Sequence, residues 1–480
     1  MCRKMYDRHR EGLLIMYQID FNKPEHVHFI GIGGISMSGL AEILMDEGFT
    51  VTGSDSKESE LTEHLRSRGA VIYIGQRAEN IRQAEQTGKK IDAVVYTAAI
   101  HPDNPEFAAA REAGLPMLSR AVLLGEMMRN YREAIAVSGT HGKTTTTSML
   151  SEIFLAAEAD PTISVGGILP SIGGNIRVGG PEFFITEACE YTNSFLEFFP
   201  TIEVILNIEE DHMDFFKDLA DIRSSFTRFA KKTPKQGAVV INGEIEDWQE
   251  IVKNTEGRVI TFGTDRGFDY SAGEISYDSL ARPTFDFYIR GEKRDTLSLG
   301  VSGEHNVYNA LAAAAAALEA GLSLEAVKRG LLSFTGTKRR FEKKGVLNGV
   351  TIIDDYAHHP QEIRASLKTA QNYPHNRIWC VFQPHTYTRT KAFLDEFAEA
   401  LSMADCIVLA DIYAARETDT LGISSRDIAE KIERLGKKVW YFHTFEEIEE
   451  FLKKSCIHGD LLITMGAGDI VNVGEALLAE

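Results

Sequence analysis

Cysteine is scarce in this sequence, and its placement excludes two common roles. Five cysteines are scattered along 480 residues, and no two of them stand at CxxC or metal-ligand spacing. The sequence therefore indicates neither a disulfide framework nor a cysteine-based metal site. Reduced, mostly buried thiols are typical of a protein of the cytoplasm, and we expect that location.

Long apolar runs are also missing. No stretch approaches the length of a membrane-spanning helix, so we expect no membrane association. The basic N-terminus contains one short apolar run, Leu13–Met16, which is too short for a signal peptide. We expect residues 1–17 to form a disordered leader, with Met5 and Met16 as alternative start residues.

Basic residues are outnumbered by acidic ones. The chain has 51 Lys+Arg against 70 Asp+Glu, which gives a formal net charge of −19. This balance argues against a nucleic-acid or anionic-membrane binder, although it leaves room for local basic sites. The hydrophobic content of 44% and the charged content of 25% are ordinary for a soluble globular protein. The length predicts about three domains, and nothing in the composition predicts the oligomeric state.

A segment in the middle of the chain predicts a nucleoside triphosphate site. Residues 139–146 read Gly-Thr-His-Gly-Lys-Thr-Thr-Thr, after a strand-like apolar run and before a helical pattern. Strand, glycine-bearing loop and helix form a phosphate cradle, in which Lys143 supplies a charge and a Thr hydroxyl reaches Mg²⁺. The usual P-loop has its first glycine where this chain has Val137, so a loop that starts at Gly139 is tighter. The alternative is a chance Gly-Lys-Thr in an ordinary loop.

A glycine-rich turn near the N-terminus predicts a second phosphate site. The strand-like run 27–30 leads into Gly31–Gly39 and a helical pattern, and a second strand ends at Asp55. This βαβ order resembles a dinucleotide-binding unit, in which an acid about 20 residues after the turn holds a ribose hydroxyl. Ser36 stands where the third glycine of that motif belongs. The turn therefore indicates a pyrophosphate but does not distinguish NAD from a nucleotide-sugar.

Polar residues follow several other strand-like runs. Glu187 ends one run, and Asp211–Asp214 follow another. Carboxyl ends of strands in open α/β sheets point into the ligand crevice, so Glu187 is a natural Mg²⁺ ligand and His212 a candidate for a second ion. The alternatives are a capping or solvated acid at Glu187 and a structural role for His212.

The remaining polar clusters lie further along the chain. Asn306 and Asn309 precede an alanine-rich helical stretch, 311–318, and offer the donors and acceptors that adenine requires, although N-capping explains an Asn there equally well. The segment Asp354–Pro360 carries two acids, a Tyr and two His at a strand end, for which a metal cluster is the alternative. Gln383–Arg389 follows the next strand, and an Arg there binds a carboxylate bidentately unless the loop is simply solvated.

With these residues together, the chain resembles the Mur ligases, the ATP-dependent amide-forming enzymes of peptidoglycan synthesis. The resemblance runs from about residue 25 to the C-terminus and covers every motif quoted above. It implies an α/β fold of three domains. These are a Rossmann-like UDP-binding domain at 18–130, a central P-loop ATPase-like domain at 131–336 and a Rossmann-like amino-acid-binding domain at 337–480. Within the central domain, alternating residues around 268–299 suggest hairpins.

The resemblance also implies roles for individual residues. UDP-sugar binding falls to residues of the first turn and of a later loop: Gly31, Gly33, Gly34, Ser36, Ser38, Asp55, Asn193 and Ser194. ATP binding falls to the phosphate loop and to four later positions: Gly139, Thr140, His141, Gly142, Lys143, Thr144, Thr145, Asn306, Asn309, Arg340 and Asp355. The metal ligands would be Thr144, Glu187 and His212, and the amino-acid-binding residues Tyr356, His385 and Arg389. The catalytic residues would be Lys143, Glu187, His212, Arg340 and His358.

The reaction implied by the resemblance is an ATP- and Mg²⁺-dependent ligation. ATP would phosphorylate the lactyl carboxylate of UDP-N-acetylmuramate, and L-alanine would attack the acyl phosphate. Three alternatives remain. They are a recycling ligase that attaches a tripeptide to the same sugar, a nicotinamide-dependent oxidoreductase, and a catalytically dead sensor of the UDP-sugar.

The sequence departs from the family pattern at three places. Cys189 and Tyr191 flank Glu190 where many members read Ala-Asp-Glu-Ser. Thr386 stands where many members have Arg, which removes one candidate contact for the incoming carboxylate, and Gln361 replaces a common Thr. The metal-bridging carbamylated lysine of some sister ligases is not expected in a member that adds L-alanine.

Overall fold

The structure is a computed structural model that describes residues 17–97, 99–213, 215–415 and 417–479. The predicted leader, apart from Tyr17, therefore lies outside the described residues, as do Cys2 and Asp214. The chain divides into two units, one that runs to Arg132 and includes Ser194–Phe199, and one that contains Glu133–Asn193 and the chain from Pro200 onward. The domain boundaries at 130 and 336 stay predictions.

The first unit is built on a five-stranded parallel sheet with the strand order β3-β2-β1-β4-β5. Its strands are β1 (His26–Ile30), β2 (Thr50–Asp55), β3 (Val71–Ile74), β4 (Ala93–Tyr96) and β5 (Met117–Ser119). Its helices are Ile35–Asp46, Glu60–Ser67, Glu79–Glu85, Pro105–Glu112 and Arg120–Met128. Every residue of β1 is buried, as expected for a central strand of a parallel sheet that is covered on both faces. The glycine-rich turn follows β1 directly, at the carboxyl edge of the sheet.

The second unit contains a ten-stranded sheet with the order β15-β14-β13-β12-β11-β10-β6-β9-β7-β8. Its strands are β6 (Glu133–Ser138), β7 (Thr162–Leu169), β8 (Gly174–Arg177), β9 (Phe183–Ala188), β10 (Ile202–Ile205), β11 (Ala238–Asn242), β12 (Arg258–Gly263), β13 (Tyr270–Tyr277), β14 (Pro283–Ile289) and β15 (Glu292–Ser298). The middle of the sheet is parallel, whereas β13, β14 and β15 pair antiparallel, which confirms the predicted hairpins. Strand β6 lies between β10 and β9.

Helices pack on this central sheet. They are Lys143–Ala156, Leu219–Ala230, Trp248–Val252, His305–Glu319 and Leu324–Ser333, with a short 3-10 segment at Pro170–Ile172. A second 3-10 segment, Tyr191–Glu197, crosses the boundary between the two units at Ser194. The predicted alanine-rich helix is longer than the sequence pattern suggested and begins at His305. Its alanines 312–317 are completely buried, because their small side chains let the helix lie close to its neighbours.

The same unit carries a six-stranded sheet with the order β16-β17-β21-β18-β19-β20. Its strands are β16 (Glu342–Leu347), β17 (Val350–Asp355), β18 (Ile378–Phe382), β19 (Cys406–Leu409), β20 (Lys438–Tyr441) and β21 (Leu461–Met465). Only β16 is antiparallel to its neighbour. The accompanying helices are Pro360–Gln371, Tyr387–Ala392, Leu394–Leu401, Ser425–Arg434, Phe445–Ser455 and Val471–Ala479. The α/β fold class predicted from the sequence is confirmed.

We predict that Gly330→Ala destabilises the second unit. Gly330 lies where the helix Leu324–Ser333 crosses the helix Lys143–Ala156, and an added Cβ would stand 2.6 Å from the backbone nitrogen of Ile153. Because a backbone cannot yield as a flexible side chain does, we expect a loss of about 1–3 kcal/mol in the free energy of unfolding. Denaturant unfolding measures this loss. Glu325→Ala, at an exposed position of the same helix, should change stability by less than about 0.5 kcal/mol, and equal losses would contradict the packing argument.

Candidate active site

The site of the second unit is created by three neighbouring parallel strands. In the register of the sheet, Ser138 of β6 pairs with Ala188 of β9 on one side and with Ile205 of β10 on the other. These strands end at the same edge, so the loops that follow them lie side by side. Those loops carry the phosphate loop, the acids after β9 and the segment around His212.

The phosphate loop is tightly held by its neighbour. His141 donates its backbone N–H to Asn207 Oδ1 over 2.7 Å, and Asn207 Nδ2 donates back to the carbonyl of His141 over 3.0 Å. Gly142 has a φ of +84°, and a Cβ there would lie 2.6 Å from Asn309 Oδ1. The second glycine is therefore required both by its backbone conformation and by space. Sequence reasoning missed Asn207, and the only available signal was its position just after a strand.

Lys143 begins the helix that follows the loop, and its ammonium group is fully engaged. Lys143 Nζ donates to the carbonyl oxygens of Gly139 and Thr140 over 2.5 and 3.0 Å and to both carboxylate oxygens of Glu190 over 3.2 and 3.0 Å. Burial alone would lower the pKa of Lys143, but the Glu190 carboxylate outweighs burial and raises it. The lysine is therefore a charged group held at the base of the loop, as a phosphate-binding role requires.

Two of the three predicted metal ligands lie together. The hydroxyl of Thr144 donates to Glu187 Oε2 over 3.1 Å, and the backbone N–H of Gly166 donates to Glu187 Oε1. A hydroxyl and a carboxylate suit Mg²⁺, which takes few protein ligands and completes its shell with phosphate oxygens and water. His212 Nε2 lies instead 3.6 Å from Glu190 Oε1 and 3.7 Å from Asp211 Oδ2. Within the described parts of the chain, no three His, Cys, Asp or Glu side chains form a ready metal cluster, and the metal set stays a prediction.

A cavity of about 920 Å³ opens beside the phosphate loop, a size that suits a nucleotide. Its wall includes all four later positions predicted to bind ATP together with part of the loop: His141, Gly142, Thr145, Asn306, Asn309, Arg340 and Asp355. The cavity lies entirely within the second unit. Sequence reasoning did not identify Glu362, Arg282 or Phe341, which line the same wall.

The two asparagines do not cap the helix that they begin. The N-cap residue of helix His305–Glu319 is Glu304, which makes no capping hydrogen bond through its side chain. Asn309 Nδ2 donates to Asn306 Oδ1 over 2.9 Å, and Asn309 Oδ1 accepts from the hydroxyl of Thr146 over 3.2 Å. The capping alternative is therefore excluded. Asn309 connects this helix to the one that starts at the phosphate loop.

His141 connects the central sheet to the C-terminal sheet. Its Nε2 lies 3.3 Å from Glu209, and its Nδ1 lies 3.3 Å from Glu362 at the start of helix Pro360–Gln371. Burial alone would lower the pKa of His141, but the two carboxylates raise it to about 9. The imidazole is therefore positively charged at neutral pH. Arg340 Nη1 lies 4.0 Å from the same Glu362 oxygen, so two cations of the cavity share one acid.

Asp355 lies at the end of β17 and is nearly inaccessible to solvent. Its carboxylate accepts hydrogen bonds from the Ser366 hydroxyl over 2.7 Å and from the Ala357 backbone over 2.8 Å. Burial raises the pKa of Asp355 to about 6 in spite of these donors. Both oxygens serve the local structure, because Oδ1 accepts from Ala357, and Oδ2 accepts from Ser366 and also from Phe341 N over 3.1 Å.

The predicted amino-acid-binding residues are brought together on the C-terminal sheet. Arg389 Nη1 lies 3.2 Å from His385 Nδ1, and Arg389 Nη2 donates to Asp211 Oδ1 over 3.2 Å. The His385 ring stacks on Tyr413 with centroids 5.7 Å apart, a neighbour that sequence reasoning missed.

His358 joins this group from the loop after β17. Its ring centroid lies 5.8 Å from that of His385 and 5.5 Å from that of Tyr356. Burial lowers the pKa of His358 to about 4, so its imidazole is neutral at physiological pH. Arg340 lies over the Tyr356 ring at 5.2 Å.

The predicted UDP-sugar residues lie mainly in the turn after β1. Asp55 Oδ2 accepts the backbone N–H of Gly33 over 2.8 Å, so Asp55 orders the turn that would hold a phosphate. Ser36 accepts a hydrogen bond from Arg120 over 3.0 Å, and Ser38 donates to a carbonyl in its own turn. Gly31 has a φ of +85°, which favours glycine.

The remaining UDP-sugar residues belong to the loop after β9. Asn193 lies in the second unit, where its Oδ1 accepts from the Ser225 hydroxyl, and Ser194 belongs to the first unit. Their joint role in binding a UDP-sugar with Gly31, Gly34 and the rest of the turn stays a prediction.

Fold and site together define a nucleotide-dependent enzyme of the multidomain α/β class. Three family models match the chain in succession: the Mur ligase family catalytic domain at residues 26–132, the Mur ligase middle domain at 137–317, and the Mur ligase glutamate ligase domain at 339–468. The chain belongs to the Mur ligase family.

Similar proteins cover almost the whole chain. A UDP-N-acetylmuramate–L-alanine ligase of Lachnospira eligens is 62% identical over 96% of this chain and 100% of its own length. The crystal structure of a UDP-N-acetylmuramate–alanine ligase from Thermotoga maritima is 31% identical, with a TM-score of 0.76 over 95% of this chain and 98% of that one. The structure of a murein peptide ligase from Psychrobacter arcticus is 25% identical, with a TM-score of 0.66 over 95% and 98% of the two chains.

We predict that His141→Gln lowers stability at acidic to neutral pH more than at alkaline pH. The folded-state pKa of about 9 lies above the ordinary value of 6.5, so the stabilisation is complete below pH 6.5 and is lost as the pH rises through 9. We expect a deficit of about 1–3 kcal/mol at pH 6 that shrinks by pH 10. Thermal unfolding of wild type and variant at several pH values measures it.

His443→Gln is the matched control for this experiment, because His443 is an exposed histidine beside Asp411 in the same unit. It should change the unfolding temperature little at any pH. A deficit of His141→Gln that is the same at pH 6 and pH 10 would rule out the charged bridge between Glu209 and Glu362.

Proposed function

We propose that this protein joins L-alanine to the lactyl carboxylate of UDP-N-acetylmuramate, with ATP converted to ADP and phosphate. The observation that carries the proposal is the 62% identity over 96% of the chain to a ligase named for this reaction. The phosphate loop with its charged Lys143, next to a nucleotide-sized cavity, supplies the chemistry that such a ligase needs. The product is a precursor of peptidoglycan. We place the reaction in the cytoplasm, where ATP is available.

The chemistry starts from a poor electrophile. An ionised carboxylate resists attack by an amine, and phosphorylation converts it into an acyl phosphate with a good leaving group. Lys143 would neutralise charge on the transferred phosphoryl group, and Arg340 would reach it from the wall of the cavity. Thr144 and Glu187 would hold Mg²⁺, with His212 near a second ion, and the metal supplies further charge neutralisation.

The nucleotide would fill the cavity with its phosphates on the loop. Asn306 and Asn309 offer amide groups to the adenine side, and the N–H groups at Gly142–Thr145, where the helix begins, would contact the phosphates. Asp355, which also lines the cavity, would lie near the ribose or phosphates.

L-Alanine would bind on the C-terminal sheet. Arg389 would take its carboxylate, with His385 and Tyr356 completing the pocket. The neutral imidazole of His358 is able to accept a hydrogen bond from the amine that attacks the acyl phosphate. Exclusion of water from the acyl phosphate would protect it from hydrolysis.

The UDP-sugar would bind to the first unit, at the turn that contains Gly31, Gly33 and Gly34. Asp55 orders this turn through the N–H of Gly33. A nicotinamide enzyme would use the same turn but would leave the phosphate loop without a purpose. A dead sensor would not need Lys143, Thr144, Glu187 and His212.

We predict that Lys143→Ala abolishes ligation and leaves UDP-sugar binding nearly intact. The lysine serves the triphosphate, whereas the sugar nucleotide is assigned to the other unit. Phosphate release measures the first property, and equilibrium binding of UDP-N-acetylmuramate measures the second. Equal loss of both would contradict the assignment of two separate nucleotide sites.

The recycling ligase is the nearest competing function, because the Psychrobacter arcticus murein peptide ligase shares the fold over nearly the whole chain. We expect purified protein with ATP and UDP-N-acetylmuramate to release phosphate with L-alanine at least about tenfold faster than with the tripeptide. A tenfold ratio corresponds to about 1.4 kcal/mol of transition-state discrimination. A preference for the tripeptide would overturn the proposal.

A further inference from the structure

Glu190 makes contacts that none of the predicted roles explains. Its side chain is about 97% buried, and its two oxygens lie 3.2 and 3.0 Å from Lys143 Nζ. One of these oxygens also lies 3.6 Å from His212 Nε2. A single carboxylate therefore contacts a phosphate-loop cation and a residue predicted to hold a metal.

The contacts connect three strand ends. Glu190 follows β9, Lys143 follows β6, and His212 follows β10, in the middle of the ten-stranded sheet. Lys143 and His212 thus follow different strands, and the pairing of β6 with β10 brings the two segments close together. Glu190 bridges them from the far side of β6.

The two acids after β9 have different partners. Glu187 accepts from the Thr144 hydroxyl and the Gly166 N–H, which suits a metal ligand. Glu190 faces the ammonium of Lys143 instead. Glu187 and Glu190 therefore have different hydrogen-bond partners in the protein itself, without a bound ion.

The bridge restricts a side chain that is otherwise flexible. A lysine side chain loses much of its rotamer entropy when it is fixed in one geometry. The carbonyls of Gly139 and Thr140 hold the ammonium close to the loop, and the Glu190 carboxylate fixes its direction along the loop. Ordering Lys143 before the nucleotide arrives reduces the cost of orienting it during the reaction.

The chain after Glu190 supports the same arrangement. Thr192 and Asn193 adopt left-handed backbone conformations, with φ of +55° and +60°. The turn places the ring of Tyr191 against that of His212, with centroids 4.5 Å apart. His212 is therefore held between the carboxylate of Glu190 and the ring of the next residue.

We propose that Glu190 is a positioning residue that aligns Lys143 with His212, so that both side chains are held in fixed orientations towards the position of the γ-phosphate. The inference rests on the proposed function for its effect on ligation, but its effect on nucleotide binding does not depend on the second substrate. It assigns to Glu190 no contact with the reacting atoms.

The test uses the full chain with Glu190→Gln, which keeps the size of the side chain and removes its charge. We expect kcat for ligation to fall about 10- to 100-fold while KM for ATP changes less than about threefold. Glu190→Asp keeps the charge but is shorter by one methylene, so it cannot reach both partners and should lose kcat to a similar extent. Glu152→Gln, half-buried on the helix that begins with Lys143, removes the same charge and should behave as wild type.

Nucleotide binding provides the second readout. Wild type should bind a slowly hydrolysed ATP analogue more tightly than ADP, because the positioned groups face the γ-phosphate, and both Glu190 variants should lose most of this preference with ADP affinity unchanged. This readout keeps the inference testable even if wild type ligates neither L-alanine nor the tripeptide, an outcome that would overturn the proposed function alone.

An unchanged kcat and an unchanged preference in Glu190→Gln would overturn the inference. Tighter binding of the ATP analogue at unchanged kcat would do so too, since Glu190 would then only compete with phosphate for Lys143.

Discussion

The parallel pairing of β10, β6 and β9 is the constraint on which the candidate site depends. These strands end in register, so their loops emerge at one edge and bring together the phosphate loop, Glu187 with Glu190, and His212. The strands are almost fully buried on both faces, so consecutive side chains pack against the layers above and below the sheet, and this close packing holds the register. The positions of the site residues at this edge therefore depend on the packing of the core, and a mutation that disturbs the core should disturb the site as well.

The cations of the candidate site are paired with acidic side chains. Each cation predicted to contact an anionic substrate has an acid beside it: Lys143 has Glu190, Arg389 has Asp211, and His141 and Arg340 share Glu362. Burying a charge without a partner costs several kcal/mol, so these acids make the buried cations compatible with a folded site before substrates bind. A chain of net charge −19 can therefore contain a pocket for a triphosphate, because basic groups are concentrated at this site and each is paired with an acid of the chain.

Residues adjacent in the sequence were predicted well, and residues that depend on strand order were not. The α/β alternation, the hairpins and the strand–loop–helix order around Gly139–Thr145 follow from local sequence patterns, and the structure contains each of them. Asn207, Glu362 and Tyr413 carry no local signal, because their roles arise from neighbours that are distant in sequence. The order β10-β6-β9 is not encoded in any one segment, so the sequence near Glu190 does not predict its ion pair with Lys143.

The short phosphate loop illustrates how the fold compensates for a local departure. A loop that begins at Gly139 has fewer residues than the usual P-loop with which to wrap a phosphate, and it needs support from outside. Asn207 gives that support by pairing with both the N–H and the carbonyl of His141, and its own carbonyl accepts from Thr140 N over 3.2 Å. Because Asn207 follows β10, the neighbour of β6, the brace exists only when the sheet is assembled. The tight spacing at Gly139–Thr146 and the parallel register of β6 with β10 are therefore two parts of one structural requirement.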